Sequence, residues 1–438
     1  MNIILLSGGS GKRLWPLSND IRSKQFIKIF KKENGEYESM VQRVYRQILA
    51  VDRDAQVTIA TSKAQVSAIF NQLGDKVGIS VEPCRRDTFP AIVLAAAYLH
   101  YEKGISAEET VVVCPVDPYV EDSYFEALAR LDEQAKKGEA NLVLMGIHPT
   151  YPSEKYGYII PKDKEEVSFV DTFREKPDEN TAREYIARGA LWNGGIFAFR
   201  LGFVLEKARE RIDFTDYRDL YAKYASLEKI SFDYAVVEKE DSIQMMRFSG
   251  EWKDLGTWNT LTEAMEENIV GNGICDTTCE NLHILNELDI PVLCMGIKDA
   301  IVSASPEGIL VADKHQSSYI KPYADKMAGQ VMFAEKSWGS YKVCDVEENG
   351  RTAKVTLNQG HHMHYHSHER REEVWTVISG TGYVILDGEK KSICPGDVIT
   401  IPVGCRHTIY AQTELKVMEV QIGKEIDVSD KVKYDWQF

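Results

Sequence analysis

An α/β domain on a parallel sheet, a short β-rich segment and a final domain of strands make up the architecture that this sequence predicts. Residues 2–6 form an apolar run of strand length that breaks into Ser7-Gly8-Gly9-Ser10-Gly11, the pattern of a buried parallel strand ending in a glycine loop. Short apolar runs then alternate with stretches of helical spacing as far as residue 268. Beyond residue 271 the helical period stops, β-rich pieces recur, and five of the ten histidines fall between residues 361 and 368.

The glycine loop carries the first chemical signal. Backbone N–H groups crowd around an anion only where no Cβ stands in the way, and Ser7, Gly8, Gly9 and Gly11 offer such a loop. Lys12, Arg13 and Lys24 supply cations for phosphate charge. Neither the P-loop spacing nor the dinucleotide fingerprint fits, because Trp15-Pro16-Leu17 stops a helix from starting there.

Helical spacing over 39–50, 64–73 and 88–100 alternates with apolar runs over 57–60, 78–81 and 110–115. That rhythm gives a parallel sheet with helices on both faces, whose ligands sit at the carboxyl ends of the strands. Two loops there are charged. Glu82-Pro83-Cys84-Arg85-Arg86-Asp87-Thr88 leads from a strand into a helix and places Arg86 and Asp87 near a nucleotide, with Asp87 or Thr88 as N-cap. The apolar run 111–114 ends in Pro115-Val116-Asp117, where a carboxylate facing the glycine loop can hold Mg²⁺ against nucleotide phosphates.

At 438 residues, 44% apolar and 10% aromatic, the chain has room for two or three domains with proper cores. A net charge of −15 argues against a nucleic-acid partner. No stretch approaches the roughly 18 apolar residues of a membrane span, and no basic segment precedes the first apolar run, so the expectation is a cytoplasmic protein with no membrane partner. Eight scattered cysteines suit buried thiols better than a disulfide frame.

GGSGKRLWPLS followed by SKQF closely resembles the signature of sugar-1-phosphate nucleotidylyltransferases, most closely the mannose-1-phosphate guanylyltransferases. Lys12 stands where that family usually has threonine, and Ser23 where it has proline. Residues 82–91 resemble its base-holding EPxGRNTAPA, with Asp87 for asparagine. Pro115-Val116-Asp117 matches its P-x-D, with Pro118 where the mannose enzymes show histidine. Trp252-Lys253-Asp254-Leu255-Gly256-Thr257-Trp258 resembles W-x-D-x-G-[ST]-W, which implies Asp254 as the second Mg²⁺ carboxylate. Between these acids YGYI, F-x-EKP, WN-[SG]-G-x-F and S-x-DY recur in order, and the resemblance puts Gly157, Glu175, Asn193 and Asp233 on the sugar hydroxyls and Lys176 on the sugar phosphate.

Residues 269–330 then read as a connector of stacked short strands, where the family places a left-handed β-helix-like unit. Residues 331–438 carry Gly360-x₅-His366-x-His368-x₄-Glu373-x₆-Gly380 and Gly396-x₅-Pro402-x-Gly404-x₂-His407. Alternate strand residues share a face, so His366 and His368 can point inward and, with Glu373 and His407, complete a site for Zn, Fe, Mn, Co or Ni. Both spacings match the cupin motifs, which implies a small β-barrel. The barrel resembles the cupins that interconvert mannose 6-phosphate and fructose 6-phosphate, although their HxHRxE spacing would put a histidine at Arg370 and their arginine at Thr408. Either the pair is His368 with position 370, or two residues are inserted and the pair is His366 and His368.

The resemblance implies in-line attack by a hexose 1-phosphate on a nucleoside triphosphate, with Arg13, Lys24, Asp117 and Asp254 as the catalytic set and pyrophosphate released. GTP and mannose 1-phosphate are the expected substrates, in a homo-oligomer, as a dimer. The alternatives are another nucleotide or hexose, or a metal-dependent isomerase whose first domain, residues 1–268, binds nucleotide as a regulator.

Overall fold

The computed structural model describes residues 1–8, 12–19, 21–327, 329, 331–424 and 426–436, with the side chains of Lys12 and Val428 left aside. The chain divides into two units, one of residues 1–10, 24–66 and 73–266, the other of residues 11–23, 67–72 and 267–438.

The first unit is built on a nine-stranded sheet, ordered Gly78–Glu82, Gln56–Ser62, Asn2–Ser7, Thr110–Pro115, Leu191–Arg200, Leu142–Ile147, Ile243–Phe248, Val167–Arg174 and Gly157–Pro161. Asn2–Ser7 lies parallel to both neighbours, with Ile3 opposite Val57 and Val112. Ile3, Ile4 and Leu5 are fully buried, which is why the run is apolar on both faces. The predicted helices are seen at Met40–Val51, Val66–Leu73 and Thr88–Ala97, the first held by a Ser39–Gln42 capping box.

The sheet is not parallel throughout, as the rhythm alone predicts. Leu191–Arg200 runs antiparallel to Thr110–Pro115 and to Leu142–Ile147, and two further antiparallel strands close the far edge. A parallel neighbour needs a long crossover. Ile243–Phe248 reaches its parallel place beside Leu142–Ile147 by such a crossover, whereas Leu191–Arg200 enters antiparallel, so the sheet is mixed past Thr110–Pro115. Strand order reverses beside Asn2–Ser7, where Leu6 pairs with Pro115 and the Val116 N–H donates to Leu6 O at 3.2 Å. Ligands of open α/β sheets bind at such a switch point.

In the second unit, Ile269–Gly271, His283–Asn286 and Ala300–Ser305 form a parallel ladder, and Gly273–Cys275 pairs in parallel with Val292–Cys294. Leu282, Ile284, Cys294, Ala300 and Val302 fill this coil. Arg22, 7% exposed, makes a bidentate pair with Glu287 at 2.7 and 2.8 Å. A six-stranded and a five-stranded sheet then make a closed β-barrel around Trp375, Val377, Val384 and Ile399. Gly380 has φ +84°, and a Cβ there would meet Glu414 O at 2.0 Å, so that turn admits only glycine.

Candidate active sites

In the first unit, the predicted acids converge. Asp254 lies on Trp252–Asp254, which pairs antiparallel with Pro118–Val120, so it faces Pro118, the neighbour of Asp117. Lys24 Nζ stands between the carboxylates, 2.8 Å from Asp117 Oδ2 and 3.4 Å from Asp254 Oδ1. Burial pulls the Lys24 pKa down, but the two carboxylates outweigh it and hold the ammonium above its ordinary value. Two hard oxygen donors converging on a cation are a fitting donor set for a hard divalent ion.

Ser7 and Gly8 line a cavity of about 280 Å³ together with Gln65, Glu82, Arg85, Asp87 and Thr88. Ser7 is fixed by buried amides: its hydroxyl donates to Gln65 Oε1 at 3.1 Å and accepts from Gln25 Nε2 at 2.9 Å. Asp87 is the N-cap, with its carboxylate accepting Thr88 N–H at 2.8 Å and its backbone at φ 71°, ψ −175°, a region left almost wholly to glycine. Arg86 donates instead to Ala225 O, and its neighbour Arg85 lines the cavity. Gly9 and Gly11 lie outside the described residues, as does the side chain of Lys12. Arg13 sits exposed in the turn Lys12–Leu14 and groups with the second unit.

The sugar-side residues come together. A β-bulge between Asn193 and Phe197, made at Gly194 and Gly195, turns Asn193 so that its Nδ2 donates to Asp233 Oδ1 at 2.5 Å. Lys176 pairs with Glu175, whose Oε2 is buried without a hydrogen-bond partner among the described residues. A Cβ on Gly157 would stand 2.5 Å from that oxygen, so glycine makes room for the carboxylate. Burial, with Glu175 second, pushes the Asp233 carboxyl up to about 6. The Tyr156 ring lies tilted against Trp192 at 4.9 Å and edge-on to Trp252 at 5.5 Å, on the strand that carries Asp254.

In the second unit, His366, His368 and His407 are buried, with one ligand nitrogen of each within 4.8 Å of the others. The triad therefore uses the inserted spacing, with His366 and His368 as the pair. Each Nδ1 meets a backbone carbonyl: His364 O at 2.6 Å, Asp430 O at 2.7 Å and Cys405 O at 3.0 Å. A carbonyl accepts only, so Nδ1 carries the proton and Nε2 presents a lone pair to the site. Glu373 Oε1 lies 3.1 Å from His368 Nε2, which also accepts from Arg371 Nη2 at 3.1 Å, and Glu373 Oε2 lies 3.5 Å from His407 Nε2. At His407 an acceptor faces an acceptor, and its Nε2 has no hydrogen-bond partner among the described residues. Three imidazole nitrogens and a carboxylate so placed fit a divalent transition ion.

Arg371 Nε, Trp375 Nε1 and Gln421 Nε2 each donate to Glu373 at 3.1 Å. Around them a cavity of about 420 Å³ is lined by Lys336, Tyr341, Arg351, Glu419 and Lys431 as well. Burial pushes the Glu419 carboxyl up to about 8, with the Glu373 charge adding to it, and pulls the Lys431 ammonium down to about 8. Sequence reading missed Glu419, Gln421 and Lys431. The signal for the first two was present: in Leu415–Gly423 every second residue is buried, and two of those inward positions are polar. Thr408 is fully buried and donates to Met363 O at 2.7 Å, which leaves no space for the arginine of the isomerase pattern.

Comparison with known proteins matches both parts of the chain. The nucleotidyl transferase family model matches residues 2–269, and the model for the mannose-6-phosphate isomerase C-terminal domain matches residues 325–435. The chain belongs to the nucleotidyl transferase family. A mannose-1-phosphate guanylyltransferase of Escherichia coli is 28% identical, over 98% of this chain and 97% of its own. The xanthan biosynthesis protein XanB of Xanthomonas campestris is 29% identical over 99% and 97%. The crystal structure of a mannose-1-phosphate geranyltransferase from Thermus thermophilus superposes with TM-score 0.61 at 27% identity, covering 75% of this chain and 99% of that one. No helix among the described residues is long and apolar enough to cross a membrane.

Proposed function

We propose that the chain transfers a nucleotidyl group from GTP to mannose 1-phosphate, giving GDP-mannose and pyrophosphate. The observation that carries this reading is the meeting of Asp117 and Asp254 on Lys24 at the switch point of the sheet. A sugar-phosphate oxygen attacks the α-phosphorus in line, and pyrophosphate leaves. Asp117 and Asp254 would hold Mg²⁺, which when bound supplies charge neutralisation on the phosphates. Lys24 holds the two carboxylates in register and places a positive charge beside the phosphates. Asn193, Glu175 and Asp233 orient the sugar, with Lys176 available to its phosphate. No side chain becomes covalent, so positioning and electrostatics carry the rate. Pyrophosphate release across four triphosphates and several hexose 1-phosphates tests it; failure with every pair rejects the transferase, and a preference for another pair replaces GTP or mannose 1-phosphate.

The barrel supports a second activity, interconversion of mannose 6-phosphate and fructose 6-phosphate, because one ring nitrogen of each of its three buried histidines lies within 4.8 Å of the others beside Glu373. His366, His368, Glu373 and His407 would hold a divalent transition ion, which when bound polarises the sugar's carbonyl and hydroxyl oxygens. Glu373 is engaged by three donors, whereas Glu419 keeps a proton near neutral pH and lines the same cavity, the better placed carboxyl to move it. Isomerase turnover that survives His366→Ala excludes this activity from the barrel.

A further inference from the structure

Glu369 and Arg370 are the residues that lengthen this chain's ligand loop beyond HxHRxE, and one carboxylate holds both of them. Asp430, 5% exposed, accepts Glu369 N–H at 3.0 Å and Arg370 N–H at 3.1 Å on Oδ1. Its Oδ2 lies 3.4 Å from Arg371 Nη1, and Arg371 in turn grips Glu373. Its backbone carbonyl accepts the Nδ1 proton of His368 and thereby fixes that ring's tautomer. A single residue from the end of the chain thus touches a ligand histidine, the loop after it and the arginine that orients the ligand glutamate.

The rest of the tail acts on the other histidine. His366–Ser367 is a strand of two residues, paired on one side with His407 and on the other with Val432–Lys433. Without residues 432–433 it would be a bare sheet edge, too short to hold its register. Tyr434 N–H donates to Tyr365 O at 2.9 Å, its hydroxyl meets Ser367 Oγ at 3.0 Å, and Trp436 packs on Tyr365 with ring centroids 4.8 Å apart.

We propose that Asp430 is the positioning residue of the barrel's metal centre and that residues 427–436 dock as part of that centre. The proposal rests on the metal reading above. Binding and docking are linked, so an ion that fixes the histidines also fixes the tail, and a docked tail raises affinity for the ion. The full chain, freed of metal and held in excess Mg²⁺ to occupy the carboxylate site, is titrated with Co²⁺ and followed by visible absorption.

The expected result is a saturable Co²⁺ spectrum for the unaltered chain, a 10–100-fold weaker affinity with a changed spectrum for Asp430→Ala, and recovery of most of the affinity by Asp430→Asn, which keeps an oxygen for the two amides. Carboxypeptidase trimming of the unaltered chain past Trp436 should slow when Co²⁺ is added, a readout that does not depend on any variant folding. Asp430→Ala with unchanged affinity and spectrum, or trimming at one rate with and without Co²⁺, overturns the proposal. An unaltered chain that takes up no Co²⁺ overturns the metal reading itself, and the proposal with it.

Discussion

Lys24 is the residue on which the transferase site balances, since its ammonium reaches both Asp117 and Asp254. Lys24→Met should lower kcat on the order of 10²–10³-fold, as loss of one charge-stabilising donor does elsewhere, with a smaller change in KM for the sugar phosphate. Steady-state kinetics of pyrophosphate release decide it, and a variant within threefold of the unaltered rate counts against the assigned role. Asp233 gives a pH prediction. Folded Asp233 keeps its proton up to about 6, whereas an unfolded aspartate loses it near ~3.9, so the fold gives up stability as pH rises through that window. Asp233→Asn should flatten that part of the profile in denaturant midpoints measured from pH 4 to 7. At this scale the acids and the sugar-side motif residues were legible, because each sits in a short ordered motif. Gln65, which fixes Ser7, was not legible, since only tertiary folding brings it 58 positions back along the chain.

Among the elements, Gly157 in the cluster of Glu175 and Asn193 answers to space. A Cβ at Gly157 would press on Glu175 Oε2 at 2.5 Å and on Phe173 Cζ at 2.9 Å. Gly157→Ala should therefore raise KM for the sugar phosphate about tenfold, the effect of displacing a binding group by a few tenths of an ångström, and lower stability by roughly 1–3 kcal/mol through overpacking. Kinetics and thermal unfolding of the same preparation read both effects; unchanged KM would remove Glu175 from the sugar site. Helix and strand positions in 39–115 were readable from period, and the barrel from its paired glycine and histidine spacings. The antiparallel strand Leu191–Arg200 was not, because an isolated apolar run states its burial and says nothing about direction.

For the whole molecule, the proposed function rests on two donor sets of different hardness, carboxylates in the first unit and imidazoles in the second, and on that reading their ions have separate requirements. After chelation, Mg²⁺ should restore pyrophosphate release without restoring isomerase turnover, and Co²⁺ should restore the latter. Recovery of both by Mg²⁺ alone would contradict the separation. The mixed sheet has one more effect. Leu191–Arg200 is hydrogen-bonded both to the strand that leads to Asp117 and to Gly157–Pro161 beside the sugar cluster. The proposed nucleotide and sugar sides therefore stand on one continuous sheet, spaced by interstrand steps of about 4.8 Å. On the proposed function, the gauge between the reacting partners is built into the backbone ladder.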